Sequence, residues 1–162
     1  MKTYPIILSK VFPSKHHRQG EPTLFRRLYE ERQKIHTIRA SWELWENRLD
    51  IKNLFSEEEE VVLSLREWAG RPYCSRQERI KDLTVTDRIG VQRLVFVNED
   101  IYRPHVLVRT MPFNLRDILV PVNVADLAAN DGLSLEDFKE WFKGYDLKKP
   151  LAIIQFTNFR YK

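Results

Sequence analysis

The chain of 162 residues contains one cysteine, Cys74. A single cysteine cannot form an intrachain disulfide, and it excludes a zinc site built on several thiolates. Cys74 also lacks the accompanying pattern of histidine and asparagine that marks a thiol nucleophile. We therefore expect neither a disulfide-stabilised domain nor a thiol enzyme, and a reducing cytoplasm is the expected location.

Long apolar runs and phosphate-binding glycine loops are also missing. The N-terminal apolar stretch is interrupted by Pro5, Ser9 and Lys10, so it is too short and too polar for a signal peptide or a membrane span. With five glycines in all, the chain shows neither a P-loop nor a dinucleotide fingerprint. These absences predict no membrane partner and no cofactor.

A metal site is not expected either. His16 and His17 are adjacent in the sequence, but Lys15 and Arg18 flank them. Two neighbouring histidines seldom hold a metal without further ligands, and the two cations oppose one.

The composition is that of one folded domain spanning residues 1–162. Hydrophobic residues make up 43% of the chain and charged residues 31%, which excludes a disordered protein. The 27 lysines and arginines outnumber the acidic residues enough for a formal net charge of +4. This mild basicity fits a polyanionic partner such as RNA without requiring one.

The residue patterns predict an α+β fold of many short strands and a few short helices. Its strands are expected to form a small, partly closed barrel, with helices covering one end. Predicted strands are YPIILSKVF, a segment from about Ile35, VVLSLREW, QRLVFV, PHVLVRTM, RDILVPV and LAIIQFTNF. Four helices are predicted. The first runs from Thr23 to Arg32 with an apolar stripe of Leu24, Phe25 and Leu28, and the second lies around Trp42, Trp45 and Leu49. The third lies in VNVADLAANDG and is ended by Gly132, and the fourth begins at Ser134, carries Leu135, Phe138 and Phe142 inward, and stops at Gly144.

The stretch KIHTIR places four polar side chains around two isoleucines, which is more than a buried strand requires. Thr37 offers a hydroxyl nucleophile, and Lys34 becomes a base if burial lowers its pKa. Arg39 can stabilise an oxyanion or hold a phosphate. Because strand side chains alternate, Lys34 and Thr37 share a cleft only if the strand begins after Lys34 or contains a bulge. The alternative is that Lys34 is a solvated edge lysine and Thr37 an ordinary strand residue.

A second candidate surface lies in LSLREWAGRPYCSRQERIK. Arg66 and Arg71 are interleaved with Trp68 and Tyr73, a mixture suited to pairing with phosphates and stacking on bases. The alternative is a strand and turn with Trp68 in the core and the arginines in solvent.

Two separated stretches resemble ASCH domains, which belong to the PUA-like β-barrel superfamily. FRRLYEERQKIHTIR is similar to the family's first helix and the K-x-x-T-I-R strand that follows it. ANDGLSLEDFKEWF with PLAIIQF is similar to its acidic residue at a helix end, its second helix and its last strand. In small members that act as amidohydrolases on N4-acetylcytidine, the matching lysine and threonine and a glutamate are catalytic. The resemblance carries these roles onto Lys34, Thr37 and Asp131, whose side chain is one methylene shorter than glutamate.

The expected function is binding of RNA or of a modified nucleobase or nucleoside. The first alternative is an amidohydrolase that removes an acyl group from a cytidine-like nucleoside, and the second is a protein-interaction module with an exposed aromatic surface. The candidate catalytic residues are Lys34, Thr37 and Asp131. The candidate ligand-binding residues are Arg39, His36, Arg66, Trp68, Arg71 and Tyr73.

Overall fold

The computed structural model describes residues 1–109 and 117–162, and within them the chain is α+β. Eight strands are connected by five short helices and two 3₁₀ turns. The elements in chain order are β1 (Lys2–Ile7), α1 (Phe25–Glu30), β2 (His36–Arg39), α2 (Trp42–Arg48), α3 (Ile51–Leu54), β3 (Val61–Trp68), β4 (Gln77–Leu83), β5 (Gly90–Phe96), β6 (Pro104–Arg109), β7 (Asp117–Pro121), α4 (Val124–Asn130), α5 (Leu135–Trp141) and β8 (Leu151–Gln155).

The strands of the described residues form two sheets. A three-stranded sheet has the order β1-β3-β4, with β1 parallel to β3 and β4 antiparallel to it. A five-stranded antiparallel sheet has the order β2-β8-β5-β6-β7. The predicted α+β class is confirmed, whereas the pairing shows no closed barrel in the described part of the chain, so the barrel stays a prediction.

Strand β8 is the centre of the core. Every residue from Leu151 to Gln155 is buried, and β2 and β5 pair with its two edges. Its run LAIIQ is almost wholly apolar because both faces of the strand are covered, by contrast with the alternating pattern of a half-exposed strand. Phe138 of α5 and Leu127 of α4 are fully buried in the same core.

Most predicted elements are found, with some corrections. Leu135 was predicted to point inward but is 36% exposed, and Leu24 of the predicted apolar stripe is 52% exposed, whereas Phe138 and Phe142 are buried as expected. Leu135 is the first residue of α5, where the helix has not yet turned its side chains toward the core. The predicted helix around Trp42, Trp45 and Leu49 is divided into two short helices, α2 and α3, by Leu49 and Asp50, and strand β4 was not predicted. The predicted strand residues Thr110, Met111 and Arg116 lie outside the described residues.

Backbone hydrogen bonds attach the segment before β2 to the end of α4. The Ile35 N–H donates to the Asn130 carbonyl at 2.9 Å, and the Ile35 carbonyl accepts from the Phe156 N–H at 3.0 Å. Helix α4 then ends at Asp131, followed by Gly132 with φ of +83°. These bonds bring Lys34 and Asp131, 97 residues apart in sequence, to one place.

The close approach of Gly132 to Lys34 generates a stability prediction. A Cβ at Gly132 would lie 3.2 Å from Lys34 Cδ, whereas a Cβ at Gly20, which has a similar φ of +80°, would contact nothing within 4 Å. Each Gly→Ala change should lower the free energy of unfolding by about 1–2 kcal/mol, because alanine is strained in the left-handed backbone conformation. We expect Gly132→Ala to cost a further ~1–3 kcal/mol through crowding. Urea unfolding of Gly132→Ala and the Gly20→Ala control measures the difference, and equal losses would contradict it.

Candidate active site

Lys34 is one of the most deeply buried side chains in the protein, with 1% exposure. Its Nζ donates to the Asp131 backbone carbonyl at 2.5 Å and to Asp131 Oδ1 at 3.2 Å. The ammonium also lies 4.3 Å from the centre of the Phe25 ring, within cation–π range. These contacts offset part of the desolvation cost that a buried charge carries.

Burial lowers the pKa of the Lys34 ammonium, since the charged form loses its hydration. Asp131 opposes this shift through its charge and hydrogen bond, and the positive charge of Arg39 adds to the lowering. A lysine with a lowered pKa loses its proton more readily than one in water. Desolvation and the Asp131 ion pair thus act on the Lys34 pKa in opposite directions.

Asp131 is held between Lys34 and His36. His36 Nδ1 lies 3.6 Å from Asp131 Oδ1, and His36 Nε2 lies 2.8 Å from the hydroxyl of Tyr161. Asn130 Nδ2 donates to the same hydroxyl at 2.9 Å. The Tyr161 hydroxyl therefore bridges Asn130 and His36, while His36 Nδ1 faces Asp131 Oδ1 and has no hydrogen-bond partner among the described residues.

The protonation states agree with this network. Burial lowers the pKa of His36, which favours its neutral form. Burial also raises the pKa of Tyr161, which keeps the phenol proton in place to be donated. Tyr161 and Asn130 thus position His36, and through it the Asp131 carboxylate.

Thr37 and Arg39 complete the cavity around Lys34. Strand β2 begins at His36, after Lys34, so the condition for Lys34 and Thr37 to share a cleft is met. Thr37 is 6% exposed, and it lines the same small cavity as Lys34, Arg39 and Asp131. Arg39 is partly buried, and its Nη2 donates to the carbonyl of Ile7 in β1 at 2.6 Å.

The cavity holds little more than a water molecule. Its volume is about 10 Å³, close to the smallest space that accepts one water. Phe25 and Trp141 add aromatic walls to the polar groups that line it. A ligand larger than water therefore requires the cavity to widen.

The four candidate ligand-binding residues of the second surface, Arg66, Trp68, Arg71 and Tyr73, do not line this cavity. Arg66 bonds to Ser64 Oγ at 2.9 Å and to Gln77 Oε1 at 3.2 Å within its own sheet. The rings of Trp68 and Tyr73 pack with their centres 5.2 Å apart. Tyr73 is 89% exposed, and Arg71 is exposed as well. They form a separate aromatic and basic surface at the β3–β4 connection.

Four residues of the site were missed from the sequence: Phe25 and Trp141 as aromatic walls of the cavity, and Asn130 and Tyr161 as supports of His36. Asn130 carried a weak signal, because it directly precedes Asp131 at the predicted helix end. Tyr161 carried none, since it follows the last strand in a segment without a pattern.

His16, His17 and Asp137 gather with ligand atoms within 4.8 Å of one another. His16 Nδ1 accepts from the Arg18 N–H at 3.0 Å, so its Nε2 carries the hydrogen that it donates to the Asp137 carbonyl at 3.2 Å. Arg18 Nη1 donates to Asp137 Oδ2 at 2.6 Å. Both nitrogens of His16 and the carboxylate are therefore engaged, and the cluster joins the loop before α1 to α5 instead of presenting free metal ligands.

Comparison with known proteins adds no identification. No family model, no curated protein and no solved structure matches the chain. Among the described residues, no helix has the length and apolar character needed to cross a membrane. The candidate site therefore stands on its own geometry.

The Lys34–Asp131 pair generates a prediction on stability. Asp131→Asn leaves a buried ammonium without its carboxylate, and we expect a loss of about 3–5 kcal/mol. Adding Lys34→Met should recover part of that loss, because no buried charge then remains. Glu31→Gln, in the exposed Arg27–Glu31 pair, is the control and should cost below about 1 kcal/mol. Urea unfolding measures all three, and an additive double variant would argue against coupling of the pair.

His36 generates a prediction on pH. Because its pKa is lowered from 6.5, the unfolded chain binds more protons than the folded one between the lowered pKa and 6.5. The free energy of unfolding should therefore fall as pH decreases through this window. We expect His36→Gln to show a smaller slope from about pH 6.5 to about pH 5. His105→Gln, at a partly exposed position, controls for loss of an imidazole; a wild-type slope in His36→Gln would contradict the prediction.

Proposed function

We propose that the chain is a PUA-like, ASCH-type domain that binds a modified nucleobase or nucleoside, free or within RNA, at the cavity of Lys34. One observation carries this proposal: an ammonium, a hydroxyl, a guanidinium and a carboxylate converge on one cavity from two segments 97 residues apart in sequence. A concave site where buried polar groups converge and a pKa is shifted is the usual mark of a binding or catalytic site.

A heteroaromatic base fits the chemistry of these groups. Its edge presents both donors and acceptors, which Thr37, Lys34 and Asp131 can meet. The rings of Phe25 and Trp141 line the same cavity and offer surfaces to a flat ligand. Lys34 and Arg39 carry one positive charge more than Asp131 balances, which favours a ligand with phosphate nearby.

Ligand entry requires movement at the mouth of the cavity. A base needs far more space than about 10 Å³, so binding must displace side chains. Arg39 is the candidate, since it is only partly buried and a single hydrogen bond to the Ile7 carbonyl holds its guanidinium. The same bond joins β2 of one sheet to β1 of the other, which supports a barrel-like arrangement of the two sheets.

Hydrolysis of an acylated exocyclic amine is the second candidate function, favoured by the lowered pKa of Lys34. Neutral Lys34 takes the proton of the Thr37 hydroxyl as the threonine oxygen bonds to the acyl carbon. The carbonyl electron pair moves onto its oxygen, where Arg39 offers positive charge. Collapse breaks the carbon–nitrogen bond, and the Lys34 ammonium returns the proton to the amine. Water then cleaves the threonine ester along the same proton path and releases the carboxylic acid.

An interaction module receives less support. That function requires tryptophans outside the core, but Trp42 and Trp45 are 8% and 7% exposed. Trp68 alone is partly exposed, against the ring of Tyr73. Two of the three candidate aromatic anchors are therefore occupied in packing.

Substitutions at Thr37 test both functions with little disturbance of shape. We expect the wild type to bind N4-acetylcytidine in calorimetry and Thr37→Val to weaken binding by about tenfold, the effect of one lost hydrogen bond of ~1.4 kcal/mol. Thr37→Ser should retain most of the affinity. Thr3→Val, at an exposed position of β1, is the matched control.

Acetate release from the same nucleoside separates the two candidates. Turnover that disappears in both Thr37→Val and Lys34→Met would establish hydrolysis, whereas binding without turnover would establish a binding domain. The proposal requires that the wild type bind either the nucleoside or an RNA that contains it, the RNA with an affinity that falls as salt is raised. The proposal is wrong if the wild type binds neither.

A further inference from the structure

A second, larger cavity lies apart from the Lys34 site. It lies between helices α2 and α3 and the β5–β7 half of the five-stranded sheet, and its volume is about 800 Å³. Cavities of about 300–1,000 Å³ are typical of small-molecule sites. None of the residues around the Lys34 cavity lines it.

Arginines from β5 and its flanks line one side of this cavity. Arg88 precedes β5, Arg93 lies within it, and Arg160 follows β8. Within residues 1–109 and 117–162, none of these three arginines takes part in an ion pair. An anion could therefore approach these three arginines without breaking an ion pair among the described residues.

Arg160 is fixed in place by the backbone. Its Nη1 donates to the carbonyls of Thr157 and Phe159, and its Nη2 donates to the carbonyl of Arg88, each at 2.7 Å. The guanidinium lies so close to Gly90 that a Cβ there would come within 2.4 Å of Nη2. Burial lowers the pKa of Arg160, as expected for a cation that lacks a counter-charge.

Arg93 has donor capacity that the described residues do not use. Its Nε is buried and has no hydrogen-bond partner among them, although buried donors are satisfied in most proteins. The guanidinium lies 6.0 Å from the Trp42 ring, at the limit of a cation–π contact. An oxyanion is the acceptor that the planar fork of arginine binds best.

Two exposed apolar side chains lie on the helical side of the cavity. Ile51 and Phe55 are 61% and 71% exposed, unusually high for such side chains, and both line the cavity. Acidic residues line it too, Glu46 and Asp50 on the helical side and Asp117 on β7. An anion would therefore lie against β5, and an apolar body against α3.

We propose that this cavity binds a small amphiphilic anion, with a phosphate or carboxylate on Arg93 and Arg88 and a flat apolar body on Phe55 and Ile51. Arg160 supplies fixed positive charge beneath the oxyanion. The proposal is independent of the function proposed for the Lys34 cavity, and either can hold without the other.

Calorimetry with adenosine 5′-monophosphate and 2-naphthoate as probes tests it on the full chain, with adenosine as the uncharged comparison. We expect at least one anion to bind at least tenfold more tightly than adenosine, and the tighter of the two identifies the oxyanion. Arg93→Gln and the exposed Arg88→Gln should each weaken that binding by about tenfold, in line with the loss of a charge-assisted bond.

Two controls keep the test specific. Arg76→Gln removes an arginine whose side chain is 82% exposed, and it should bind as the wild type does. Thr37→Val should also leave binding of the anion unchanged, which separates this site from the Lys34 cavity. Wild-type affinity in a folded Arg88→Gln variant would overturn the proposal, as would a wild type that binds neither anion more tightly than adenosine.

Discussion

Burial of the Lys34 ammonium is the constraint on which the candidate site depends. A cation removed from water needs a counter-charge and acceptors for its hydrogens. Asp131 supplies a carboxylate oxygen and a backbone carbonyl, and the ring of Phe25 faces the same ammonium. Helix α4 must end at Asp131 for both oxygens to reach Lys34, and Gly132 must follow because a side chain there would crowd the lysine. The local geometry of two distant segments is thus set by one charge.

The same charge explains the network behind it. The carboxylate of Asp131 faces His36, which Tyr161 holds through the other ring nitrogen, and Asn130 holds Tyr161. A polar chain thus runs through a buried region, and His36 Nδ1 is its one member without a hydrogen-bond partner among the described residues. Such a chain fixes the carboxylate in position while the Lys34 Nζ remains beside the cavity. A pre-positioned base and acid are what binding or hydrolysis of an amide-bearing ligand requires.

The two cavities lie over one sheet and differ in what they offer. Arg39 of β2 and Arg93 of β5 both pair with Ala152 of the central strand β8, one from each neighbouring strand. Because directly paired residues project from the same face of a sheet, both arginines and the alanine share one face. Arg39 is bonded to the Ile7 carbonyl at a cavity of about 10 Å³, whereas Arg93 lines a cavity of about 800 Å³ and has a buried Nε without a hydrogen-bond partner among the described residues. The small cavity has polar groups in place but little room, and the large one has room and several arginines in its lining.

Lys34 and Asp131 were grouped as candidates through a family resemblance, whereas local patterns in the sequence were sufficient for the α+β class, for strand β3 at its observed bounds and for the helix that begins after Ser134. These features depend on neighbours in the chain: side-chain alternation, capping residues and apolar runs. The role of Tyr161, the absence of Trp68 and Tyr73 from the lining of the Lys34 cavity, and the large cavity beside Arg93 came only from the tertiary structure. They depend on which strands pair and on how much space remains between helices and sheet, and no local pattern carries that information because distant residues determine it together.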